Sequence, residues 1–149
     1  MAQTYFGSTL RAGSGTLTDT VDGGFVVMSQ TTTVATVAAG TATSATITLP
    51  ASSQIIDLII DTVQNEVVGG GTATAINATI GTAAAGTQYL SATDVIGGGR
   101  IATAFTAAQL AAMADIGTNQ SVVITVDPDG TISTTKGIYR LTVVYAQKV

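Results

Sequence analysis

The chain has no cysteine and no histidine. Without cysteine there can be no disulfide, no thiol nucleophile and no thiolate metal ligand, and thiols say nothing about the compartment. Without histidine the commonest general acid/base and the commonest transition-metal ligand are missing, which removes His-based triads and zincin sites. Charge is scarce as well: Asp, Glu, Lys and Arg make up 9% of the 149 residues, against about 25% in ordinary soluble domains. A surface this poor in charge has weak protection against association and points to one largely covered in an assembly. The net charge is −4, and the five basic residues are spread singly. A nucleic-acid binder needs a basic cluster to release counterions, so no nucleic-acid partner is expected. The same lack argues against an anionic membrane surface. No apolar run reaches the roughly 18 residues of a membrane span. MAQTYFGSTLRAGSGT at the start carries no apolar signal core.

What is present is Thr, Ala, Gly and β-branched residues. The length suits one domain with a real core. Residues 1–23 are rich in Gly, Ser and Thr and read as an N-terminal arm, and residues 24–149 as the domain. FVVMSQTTTVATV (Phe25–Val37) suits a pleated surface. In ATSATITLP (Ala42–Pro50), Ala45, Ile47 and Leu49 share one face, and Pro50 ends the strand. In QIIDLIIDTV (Gln54–Val63), strict alternation puts Ile56, Leu58 and Ile60 on one face and Ile55, Asp57, Ile59, Asp61 and Val63 on the other. AINATI (Ala75–Ile80) and TQYL (Thr87–Leu90) are further strands. SVVITVDPDGTIS (Ser121–Ser133) reads as a hairpin turning at Pro128, Asp129 and Gly130. In GIYRLTVVYAQKV (Gly137–Val149), Tyr139, Leu141, Val143 and Tyr145 form the core face. FTAAQLAAMADIG (Phe105–Gly117) reads as the one helix, with a Thr106/Gln109 capping box, a Gly117 stop, and Leu110 and Met113 facing inward. Seven to nine short strands separated by turns predict an all-β fold: an antiparallel β-sandwich, jelly-roll-like, with one short helix and an extended arm.

The chemistry-bearing residues read as structural. On a strand, Asp57 and Asp61 share a face but stand about 13 Å apart at roughly 3.3 Å per residue. That is too far for a glycosidase pair at roughly 5–9.5 Å, so they read as solvated positions on a half-buried strand. GTAAAGT (Gly81–Thr87) lacks the lysine of a phosphate loop and reads as a turn. Asp127 and Asp129 in DPDG are conceivable weak calcium ligands, but EF-hand spacing fails and a plain turn is the default. Lys136 and Lys148, the only lysines, sit in a loop and near the end of the chain, poorly placed for a Ser–Lys pair. No catalytic residue, cofactor or metal site is therefore expected. Tyr5 and Phe6 are large aromatics in a polar arm and, with Arg11, are candidate inter-subunit or capsid contacts, as against packing on the arm's own domain. Arg100, in a glycine loop, is placed to pair with an acidic patch on a partner. Arg140 falls on the polar face of the last strand and is placed to pair with an aspartate.

LPASSQIIDLIIDTVQ (Leu49–Gln64), AINATIGT (Ala75–Thr82), QYLSATDV (Gln88–Val95) and GIYRLTVVYA (Gly137–Ala146) together resemble small structural proteins of tailed bacteriophages, in particular capsid decoration (cement) proteins. The resemblance covers about residues 40–146 and rests on strand and turn patterns. It implies a β-sandwich or jelly roll that binds the major capsid protein as a homo-oligomer, a trimer in many members, on the exterior of the virion, after synthesis in the host bacterial cytoplasm. The Ala-rich helix and VVGGGTATA (Val67–Ala75) depart from the pattern. The other expectations are a phage tail or head–tail adaptor component, separated by copy number, and a carbohydrate-binding β-sandwich module, which needs an aromatic platform that seven scattered aromatics hardly supply.

Overall fold

Period-two alternation decides which side chains turn inward in most of the strands. The structure is a computed structural model describing residues 25–66, 70–114, 120–132 and 135–148. The arm at 1–23, with Tyr5, Phe6 and Arg11, lies outside the described residues, as does Gly117. The elements run β1 (Phe25–Ala35), β2 (Thr43–Leu49), β3 (Ser53–Gln64), β4 (Ile76–Gly81), β5 (Leu90–Asp94), β6 (Arg100–Ile101), α1 (Ala107–Ala114), β7 (Gln120–Pro128) and β8 (Ile138–Lys148).

The strands form two four-stranded sheets, ordered β1-β8-β3-β6 and β2-β7-β4-β5. All pairings are antiparallel. First pairs with last, second with seventh, third with sixth and fourth with fifth. This is a long hairpin folded over on itself, and the β8–β3 and β7–β4 pairings close it into an eight-stranded jelly roll. The expected all-β sandwich is therefore the observed fold.

Between the sheets lies one apolar core. Leu58, Ile60, Tyr139, Leu141 and Val143 enter it from the first sheet, and Leu49, Ile76, Ile80, Val122, Ile124 and Val126 from the second. Each fully buried aliphatic side chain is worth about 1.5–3 kcal/mol relative to exposure. The inward set expected for β8 is fully buried, and Ile47 and Leu49 of β2 are buried as their alternation requires. Pro50 directly follows the last residue of β2.

Four expectations are corrected. In β3 the register shifts between Ile55 and Asp57, so Ile56 is an extra, bulged residue. The bulge re-phases the alternation: Ile55 is buried and Ile56 is 50% exposed, the reverse of the strict pattern. The segment Thr87–Leu90 is mostly loop, and its strand starts at Leu90. The Asp127–Gly130 turn closes no local hairpin, because β7 pairs with the distant β2 and β4. Asp129 instead accepts hydrogen bonds from Thr74 N at 2.7 Å, Thr74 Oγ1 at 2.5 Å and Ala75 N at 3.1 Å, tying two loops together. In α1 the capping box forms reciprocally: Thr106 N donates to Gln109 Oε1 at 2.9 Å and Gln109 N to Thr106 Oγ1 at 3.3 Å. Met113 is buried as expected, but Leu110 is 53% exposed and Gln109 takes the inward place. The Gln109 amide donates to Thr87 O at 3.2 Å and Ser91 Oγ at 3.0 Å, so this short helix is fastened by polar bonds as well as by apolar burial.

Candidate interaction face

The β1-β8-β3-β6 sheet presents its outer face in rungs. Register places Thr33, Arg140, Asp61 and Arg100 on one rung across all four strands. The next rungs carry Thr31, Thr142 and Ile59, then Ser29, Val144 and Asp57.

Asp61 is the centre of the first rung. Arg100 Nε donates to Asp61 Oδ1 at 3.0 Å and Arg140 Nη2 to Oδ2 at 3.1 Å. The Asp61 side chain is only 17% exposed, whereas that of Arg100 is 70% exposed. The hydrogen bonds from Arg100 and then Arg140 hold the Asp61 carboxyl below the usual carboxylate range. One carboxylate thus serves two guanidinium groups, and the cluster keeps one positive charge. Asp57, two rungs away, bonds neither arginine; its Oδ1 accepts the Leu58 N–H at 2.8 Å beside the bulge. The two aspartates of QIIDLIIDTV have separate structural roles and form no dyad.

Arg100 is positioned by its approach. Gly97, Gly98 and Gly99 all have φ between 83° and 89°, a region costly for side-chain-bearing residues. Thr62 N bonds Gly99 O at 2.9 Å, which delivers the next residue alongside Asp61. Beyond β6 the chain continues past β3, with Thr103 Oγ1 donating to Leu58 O at 3.3 Å. An open groove of about 420 Å³ follows this edge, lined by Asp57, Leu58, Ile59, Arg100, Ile101, Ala102 and Thr103.

Sequence reasoning named Arg100 as a partner contact and Arg140 as the mate of an aspartate. The structure unites both on Asp61. It missed the aliphatic side chains of these strands: Ile59 and Val144 are half-buried on this face, and Ile56 and Val63 are exposed at the two points where the β3–β8 register shifts. The signal was present in β3, which is apolar at more positions than one buried face requires.

The remaining described acids, apart from Asp127, have internal duties. Glu66, the only glutamate in the chain, accepts the hydroxyl of the fully buried Tyr139 at 2.5 Å. Burial first, and Glu66 second, push the Tyr139 phenol far above its ordinary range. Asp94 Oδ1 accepts from Ile76 N at 3.1 Å and Ile96 N at 3.0 Å. No group of three or more acidic side chains suited to a metal ion occurs among the described residues. No helix among the described residues is long and apolar enough to cross a membrane.

No protein-family model, curated protein or solved structure matches the chain.

Proposed function

We propose that this protein is a non-enzymatic structural component of a virus particle: a decoration protein that seats on the outside of a phage capsid, binds the major capsid protein and stabilises the head, as a homotrimer. The carrying observation is the β1-β8-β3-β6 sheet, where exposed and half-buried aliphatic side chains accompany a compact charge cluster on a chain otherwise poor in charge. Such a face suits a permanent neighbour better than bulk water. The jelly-roll architecture recurs in viral capsid proteins and lectins alike, so the fold supports the reading without deciding it. A carbohydrate module would need aromatic rings on the surface. Tyr89, Tyr139 and Tyr145 are all buried in the core, which weighs against that use of them.

The test is the copy number of the protein in purified particles, by quantitative mass spectrometry against the major shell protein. A ratio near one to one is the expected result. A few copies per particle would move the role to a tail or head–tail adaptor. Absence from particles would overturn the viral reading.

A further inference from the structure

We propose that the Arg140–Asp61–Arg100 rung and the aliphatic side chains beside it form a docking face for a carboxylate borne by the shell protein on an aliphatic surface. This rests on the decoration reading above and specifies the contact it uses.

Charge complementarity selects the partner group. Asp61 occupies Nε of Arg100, and the terminal Nη pair of Arg100 has no partner among the described residues. That pair is a planar fork matched to a carboxylate, which it can hold bidentately. Because the two arginines share one anion, an incoming carboxylate neutralises the surplus positive charge. Ile59 stands next to the Asp61 rung on β3, with Ile56 exposed further along the strand, and burying Ile59 against a partner would exclude water from the ion pair and strengthen it. The fork is also held in place before binding, by the bond to Asp61 and by the glycine approach to β6, which lowers the ordering cost of association.

The same inventory argues against a second copy as the occupant. Asp61, Glu66, Asp94 and Asp129 are each bonded internally, and Asp57 lies on the docking face itself. That leaves Asp127 as the one uncommitted carboxylate among the described residues, so the described part of a copy has little to offer the fork.

The test uses particles produced without this protein, titrated with the purified full chain. Wild type should bind. Arg100→Glu should weaken binding at least about tenfold, the loss of a hot-spot contact. Ile56→Ser should also weaken binding, and Arg100→Lys should retain part of it. Asp61 keeps Arg140 in the Arg100 variants, so their circular dichroism and melting should remain close to wild type. If wild type binds and both Arg100→Glu and Ile56→Ser bind equally well, the docking face is wrong and the decoration reading stands. If wild type does not bind, both fall. If Arg100→Glu changes the oligomeric state of the isolated protein, the face joins copies of this chain and the shell-protein assignment is overturned.

Discussion

The two sheets of this sandwich share a core but treat their outer faces differently. On the β2-β7-β4-β5 sheet the chain covers part of its own back. Thr125 of β7 is buried, and its Oγ1 accepts the Ala85 N–H at 2.8 Å from the loop between β4 and β5 and meets Ser44 Oγ at 2.9 Å. The neighbouring outward Val123 is buried as well. On the β1-β8-β3-β6 sheet, Ile56 and Val63 are left exposed. The contrast teaches that an apolar outer face is not an accident of this composition. On the second sheet the cover is a loop of the chain itself, and on the first, among the described residues, Ile56 and Val63 keep half or more of their surface exposed.

The comparison can be broken or sharpened in order of expected effect. Leu141→Ala in the first sheet and Ile124→Ala in the second should each lose about 2–5 kcal/mol in urea unfolding, since both are fully buried in the shared core. Grossly unequal losses would mean that the sheets do not share one core. Thr125→Val should cost about 1–3 kcal/mol, because it strands the Ala85 N–H under the loop. The matching change on the bare sheet, Thr142→Val, should stay within about 0.5 kcal/mol. Equal effects would erase the distinction between covered and bare faces.

The acid response should be smaller. Asp61 has a lowered folded-state pKa, so its contribution to stability is present above the unfolded carboxylate pKa of 3.8 and is lost as pH falls through the lower folded value. Melting followed below about pH 4 should show a shallower acid loss in Asp61→Asn than in wild type. The arginine partners are exposed, so the difference is modest. Least of all, Ile56→Ser should leave the melting temperature within about 2 °C of wild type, read by circular dichroism, because the side chain is already half exposed in the folded chain.

Much of this fold was legible because alternation is a local property. β2 and β8 display it cleanly, and their buried residues fell on the expected faces. The capping box was legible because its two members stand three residues apart. What failed depended on distant partners. The bulge at Ile56 cannot be seen from β3 alone, since an extra residue exists only relative to the pairing with β8. Asp129 looked like half of a local turn because Thr74 and Ala75, which it bonds, lie more than fifty positions away. Leu110 was assigned inward on apolar character, but the place beside Thr87 and Ser91 offers polar atoms that an amide satisfies and a leucine does not. Of the interaction face, the Arg140–aspartate pairing was anticipated. Its union with Arg100 was not, because the brief β6 carries no strand signal of its own.

The pairing of early strands with late ones also sets a timetable for folding. β8 lies between β1 and β3, and β7 between β2 and β4, so each sheet is keyed by a strand from the late part of the sequence. On a ribosome, β1 through β6 emerge with only the β3–β6 and β4–β5 pairings open to them. The apolar halves of the sandwich must wait, unpaired, for two strands still to be made. A chain built this way folds largely after synthesis, with slow closure of long-range contacts, and is most vulnerable to aggregation in the interval before β7 and β8 arrive.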